Sequence, residues 1–143
     1  SGGERRRVAI ACCLARGPSA LLLDEPTSGL DASAARGVVE ALRAVASAGC
    51  TVLATLHQPR PEIFLGLDRA IMMSKGHVVY AGPPGELAAW LSSRGRPLPP
   101  DANPADAALD VLAALTAEEA SEIGQAWREE GGDVAGGGLR AHS

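Results

Sequence analysis

Apolar and polar positions change rhythm several times along this chain, and each change marks an element. Gly3 to Leu14 reads as a helix. Ser1-Gly2-Gly3-Glu4 has the Ser-to-Glu spacing of a capping box at its start, and Arg16-Gly17-Pro18 ends it. Ala20-Leu21-Leu22-Leu23 is short and wholly apolar, stopped by Asp24-Glu25-Pro26. Such a run predicts a strand buried on both faces. Ala32 to Ser47 is helical, with Val38, Leu42 and Val45 on one face and Gly49 as its stop. Cys50 to Leu56 predicts a second buried strand. Strand, helix and strand in that order form a βαβ unit, which implies parallel pairing.

Beyond that unit the pattern shortens. Pro61 to Leu65 predicts a brief helix. Ala70 to Met73 and Val78 to Ala81 flank Ser74-Lys75-Gly76-His77 and predict a β-hairpin with Lys75 in its turn. Glu86 to Ser93 predicts a helix, and the Pro/Gly-rich stretch Arg94 to Asp101 a boundary. Asn103-Pro104 supplies an N-cap and first helical residue for a helix to Leu115. Thr116-Ala117-Glu118-Glu119 repeats the capping-box pattern and opens a last helix to about Glu130. Residues 131–143 hold five Gly and little to bury, the composition of a disordered tail.

Composition narrows the classes of function. The 143 residues suffice for one compact domain, and 46% of them are apolar. Aromatics are only 3%, so the core must be aliphatic. A formal net charge of -4 offers no basic footprint for nucleic acid or an anionic membrane surface. The three cysteines, Cys12, Cys13 and Cys50, are odd in number and form no CxxC. They predict buried thiols in a reducing compartment, not disulfides or zinc ligands. His57, His77 and His142 are scattered, and no apolar run approaches the ~18 residues of a bilayer span.

Three short motifs can carry chemistry. Asp24 and Glu25 stand where a buried strand meets its loop, and in open α/β sheets ligands gather at the carboxyl ends of strands. One acid there can hold Mg²⁺ and the other can deprotonate an attacking water, or both can merely solvate a strand end. Ser1-Gly2-Gly3 precedes a helix whose free N–H groups suit a phosphate, or it is an ordinary cap. His57 follows the second strand, on the same sheet edge as Glu25, where it can bond a phosphate and a water or simply the backbone. Arg5-Arg6-Arg7 reads most simply as a solvated helix face.

Taken together these motifs resemble a known family. Ser1-Gly2-Gly3-Glu4, Leu21-Leu22-Leu23-Asp24-Glu25-Pro26, Ser28-Gly29-Leu30-Asp31 and His57 follow the order and spacing of the signature, Walker B, D-loop and switch histidine of the ABC ATPases. Ser1 to Arg7, Thr55-Leu56-His57-Gln58-Pro59-Arg60, Tyr80-Ala81-Gly82 and Asn103-Pro104-Ala105-Asp106 resemble the G (White/pigment-type) subfamily. The resemblance covers Ser1 to about Leu115. It implies an α/β fold of P-loop NTPase type, a parallel sheet with flanking helices, incomplete at the N-terminus. Residues 1–95 would be the C-terminal part of the cassette, 96–130 a helical extension toward a membrane domain, and 131–143 the tail.

The same resemblance implies ATP and Mg²⁺ as cofactors. Glu25 would be the catalytic base and His57 the γ-phosphate sensor. Asp24 would support Mg²⁺, and Asp31 would couple two sites. Ser1, Gly2, Gly3 and Glu4 would meet the ATP of a second cassette in a head-to-tail dimer. The other implied partners are a transmembrane domain and an exported hydrophobic or amphipathic, lipid-like substrate, with the cassette on the cytoplasmic side and no nucleic acid. A Walker A loop needs Gly-Lys-Ser/Thr, whereas the one lysine, Lys75, lies between Ser74 and Gly76. The chain thus reads as a fragment that is inactive alone. A soluble ABC-type ATPase of DNA repair, chromosome structure or the ribosome is the alternative. It would show long heptads or basic stretches, and neither occurs.

Overall fold

Asp31 and Gly49 fix the ends of the helix between the first two strands. The Asp31 carboxylate accepts from the Ala34 N–H, and the chain leaves the helix through Gly49 at φ 96, a conformation glycine adopts without strain. In the computed structural model, which describes residues 2–15 and 17–130, this helix is α2 (Ala32–Ser47). It is preceded by α1 (Gly2–Leu14) and β1 (Ala20–Leu23) and followed by β2 (Thr51–Ala54). Then come α3 (Pro61–Phe64), β3 (Ala70–Ser74), β4 (His77–Gly82), a 3-10 turn at Pro84–Glu86, α4 (Leu87–Ser93), α5 (Pro104–Ala113) and α6 (Ala117–Glu129). The described residues form two compact units, divided between Gln58 and Pro59.

In the first unit β1 and β2 pair in parallel, Leu21 opposite Val52 and Leu23 opposite Ala54, as the βαβ pattern predicts. Ile10 of α1, Leu21, Val38 and Leu42 form its core, with Leu14, Leu23 and Val52 packed against them. The strands are not buried on both faces. Leu22 is 75% exposed and its partner Leu53 52%. Side chains alternate across a sheet, and the core side chains of α1 and α2 pack with the Leu21 face alone. The expectation of buried thiols also fails for Cys12 and Cys13, which are exposed. The second half of α1 is apolar all round, while only Ile10 of it is fully buried.

The second unit is built on the β3–β4 hairpin, which is antiparallel. Lys75 (φ 48) and Gly76 (φ 82) both adopt left-handed backbone, as a tight two-residue hairpin turn demands. Met72 pairs with Tyr80 and Met73 with Val78, so Val79 is an extra, bulged residue. Val79, Tyr80 and Ala81 are consecutively buried. Trp90 of α4 donates to the Val79 carbonyl at 3.0 Å, and Ser74 donates to the Leu112 carbonyl of α5 at 2.7 Å. Trp127 of α6 packs on Tyr80 and Trp90, with ring centroids 4.6 and 4.9 Å apart. Burial, with a smaller contribution from Glu86, pushes the Tyr80 phenol up to about 12, and its hydroxyl donates to the Pro83 carbonyl. Three aromatic rings thus carry much of a core that composition alone had made aliphatic.

Two helix starts match their expected caps. Asn103 Oδ1 accepts from the Ala105 N–H, with Pro104 as first helical residue. Thr116 and Glu119 form a full capping box. The Thr116 N–H, donating to the Glu119 carboxylate, holds that carboxyl below its ordinary range, with help from Arg96. The stabilisation from this bond is therefore present above the ordinary carboxyl range and lost as pH falls through the lowered value. Thr116→Ala should cost ~1 kcal/mol in urea unfolding, as cap losses typically do. A loss below ~0.3 kcal/mol would show that α6 is held by packing and not by its cap. The boundaries shift by small amounts: β2 is shorter than Cys50 to Leu56, and α5 stops at Ala113, not Leu115. The proposed Ser1 cap and the tail at 131–143 lie outside the described residues.

Candidate active site at the carboxyl edge of the parallel strands

Parallel pairing brings the carboxyl ends of β1 and β2 to one edge. The ladder continues past the strands, with the Thr55 N–H donating to the Leu23 carbonyl at 3.0 Å. Asp24, Glu25 and Thr55 therefore emerge side by side. The Thr55 hydroxyl donates to Asp24 Oδ1 at 2.5 Å and accepts the Glu25 N–H at 2.9 Å. His57, two residues further along the chain than Thr55, is exposed. No described side chain brings three metal-ligating groups together.

The loop after β1 is tightly turned. Glu25 takes φ 43, a left-handed value that a non-glycine residue holds only when its surroundings fix it. Its carbonyl accepts from the Ser28 N–H at 3.1 Å and from Arg6 Nη1 at 2.5 Å. The second arm of the same guanidinium donates to the Ser28 carbonyl at 2.8 Å. Arg6 is thus no solvated charge but a brace between α1 and the loop, which corrects the expectation of a solvated helix face at that one position, Arg5 and Arg7 being exposed. Arg7 likewise packs over Gly37 of α2, where a Cβ would stand 2.8 Å from its Nη1.

The remaining sequence candidates are placed as follows. Gly2 and Gly3 occupy the first turn of α1, with Glu4 as its acidic residue. Amides of that turn are free of helix partners and suit an anion. Ser1 is outside the described residues. Asp31 spends its carboxylate on the α2 cap. A cavity of about 270 Å³ opens between α1 and β1 beside Asp24, lined by Ile10, Cys13, Leu22, Pro26 and Arg6 among others. Its aliphatic wall lacks the row of donors that a phosphate chain requires.

Two contributors escaped the sequence reading: Thr55 and Arg6. Thr55 had a partial signal, a hydroxyl near the end of the predicted strand Cys50 to Leu56 and two residues before His57. Arg6 had none that set it apart from Arg5 and Arg7. In the second unit, the Asn103 amide donates to the Pro59 carbonyl at 3.2 Å and to Asp106 Oδ2 at 2.9 Å. Two segments distant in sequence, at Pro59 and at Asn103 to Asp106, are thereby one structural feature.

Comparison with known proteins agrees with the motifs. The ABC transporter family model matches residues 1–28. The chain is 45% identical over 118 residues to ABC transporter G family member 5 of Oryza sativa subsp. japonica, covering 82% of this chain and 15% of that protein. It is 38% identical over 134 residues to member 16 of Arabidopsis thaliana, covering 90% and 18%. With member 12 of Dictyostelium discoideum it shares 41% over 130 residues, covering 90% and 20%. The chain therefore spans 15–20% of the length of these relatives. The family model agrees with the motifs over residues 1–28 and the three G-family proteins align with 82–90% of the chain, so the chain belongs to the ABC transporter G family.

Proposed function

We propose that this chain is part of an ATP-hydrolysing cassette that drives export of a hydrophobic or amphipathic substrate. The observation that carries the reading is the Asp24–Thr55–Glu25 cluster at the carboxyl edge of two parallel strands. In this reading β1 and β2 belong to a P-loop NTPase-type sheet. Residues 1–95 are cassette, and residues 96–130 lead toward a transmembrane domain, with the cassette on the cytoplasmic side. No described helix is long and apolar enough to cross a membrane.

The donor set fits Mg²⁺ in the way that ion is usually held beside nucleotides. Asp24 is exposed and uses only Oδ1 on Thr55 among the described residues, leaving a hard oxygen for the ion. Mg²⁺ keeps phosphate oxygens and waters as its other ligands, so a single carboxylate suffices. When bound, the ion neutralises charge on the β- and γ-phosphates.

Glu25 acts as base. Its carboxylate takes a proton from a water as that water's oxygen attacks the γ-phosphorus, and the bond to the ADP oxygen breaks. His57 donates to the γ-phosphate. Gly2 and Gly3, with Ser1, present the amides at the head of α1 to the γ-phosphate of ATP held by a second cassette. Asp31, by capping α2 directly after the Glu25 loop, links the helix position to that loop.

The test is phosphate release by the full-length protein in lipid nanodiscs, with Mg²⁺ and after chelation. Hydrolysis that disappears on chelation is the expected result. No hydrolysis above background in either condition would reject the proposal.

A further inference from the structure

One hydroxyl stands between the two acids, and the mechanism above gives it no task. Thr55 has one proton and two lone pairs. The proton goes to Asp24 Oδ1 and a lone pair takes the Glu25 N–H. Both partners lie on the loop after β1, while Thr55 is on the backbone after β2. The hydroxyl therefore ties the loop to the neighbouring strand at the point where the acids begin. The opposite side of the Glu25 residue is tied as well, its carbonyl to Arg6 of α1.

We propose that Thr55, with Arg6 on the far side, is a positioning residue that holds Glu25 in its left-handed backbone conformation and so aims its carboxylate. The physical reason is strain. A non-glycine residue at φ 43 is disfavoured relative to φ below zero, and it persists only where its peptide groups are fixed on both sides. Loss of the Thr55 hydroxyl frees the Glu25 N–H and the Asp24 carboxylate together. Glu25 then relaxes, and its side chain swings away from the edge. A displacement of about 1 Å in a reacting group costs on the order of 10²-fold in rate.

The inference rests on Glu25 as the base, and the test separates the two. The variants are Thr55→Val, which keeps the shape without the hydroxyl, Thr55→Ser, which keeps the hydroxyl, Arg6→Lys and Glu25→Gln, all in the full-length protein. Two quantities are read: kcat and KM for ATP, and hydrogen–deuterium exchange of the peptide spanning Asp24 to Ser28. Thr55→Val should lower kcat by roughly 10- to 100-fold with KM within about three-fold, and should speed exchange in that peptide. Thr55→Ser should restore both. Arg6→Lys keeps the charge but cannot fork to two carbonyls, so it should lower kcat several-fold and speed exchange less. It serves where Thr55→Val does not fold. An inactive Glu25→Gln beside a Thr55→Val with kcat within two-fold of the parent and unchanged exchange overturns the positioning role alone. Faster exchange in Thr55→Val beside a fully active Glu25→Gln keeps the clamp and removes Glu25 as base. Equal loss in the Val and Ser variants also overturns the inference, because the hydroxyl is then not what matters.

Discussion

Glu25→Gln in the full-length protein is expected to lower ATP turnover by roughly 10²-fold or more and to leave ATP binding within a few-fold. The amide has nearly the shape of the carboxylate but cannot accept a proton from the attacking water. The local structure makes this an unusually clean substitution. Glu25 is held through its N–H by Thr55 and through its carbonyl by Arg6 and Ser28, and both are backbone groups. No side-chain bond of Glu25 within the described residues is broken by the change. The loop should therefore keep its course, and lost rate should report lost proton transfer. Radiolabelled ATP binding and phosphate release on the same preparation check it. Turnover within a few-fold of the parent would assign the base elsewhere, whereas equal loss of binding and turnover would mean that the carboxylate serves nucleotide binding.

The sequence made part of this site legible because strand ends obey simple rules. Ala20 to Leu23 ends at Asp24, the next strand is parallel, and parallel strands deliver their carboxyl ends to one edge. That puts Asp24 and Glu25 level with the residues that follow the second strand, without coordinates. The bridging Thr55 depends on register, the opposition of Leu23 and Ala54 that brings Thr55 level with Asp24. A slip of one residue would have turned it to the other face. Arg6 depends on which way one guanidinium turns on α1, and three successive arginines share the same local signal. Capping was readable at Asn103 and Thr116 since it is written in the four residues that make it. The bulge at Val79 and the aromatic cluster were not, because both arise from packing between elements distant in sequence. The exposure of Leu22, Leu53, Cys12 and Cys13 has a similar origin. An apolar run says that a strand or helix can be covered on every side, but what covers it lies elsewhere.

The largest stability effect should come from Leu91→Ala. Leu91 is 0% exposed in α4, directly after Trp90 and one turn beyond Leu87, and belongs to the cluster that includes Met72, Val79, Tyr80 and Leu112. Removing its side chain forfeits the transfer energy of the buried methyls. It also leaves a cavity that aromatic neighbours cannot easily collapse into, because Trp90 is fixed to the Val79 carbonyl and wedged against Trp127. Buried leucine truncations of this kind cost about 2–5 kcal/mol, and restrained neighbours favour the upper part of that range. Leu109→Ala on α5 is the matched control: the same atoms are removed from a side chain that is 41% exposed. Its expected loss is at most about 1 kcal/mol, since most of the transfer term and all of the cavity term are absent. Urea unfolding followed by tryptophan fluorescence reads both, because Trp90 and Trp127 sit in the cluster under test. Similar losses in the two variants would show that α4 does not anchor this core, and that the hairpin's support comes from α5 and α6 instead.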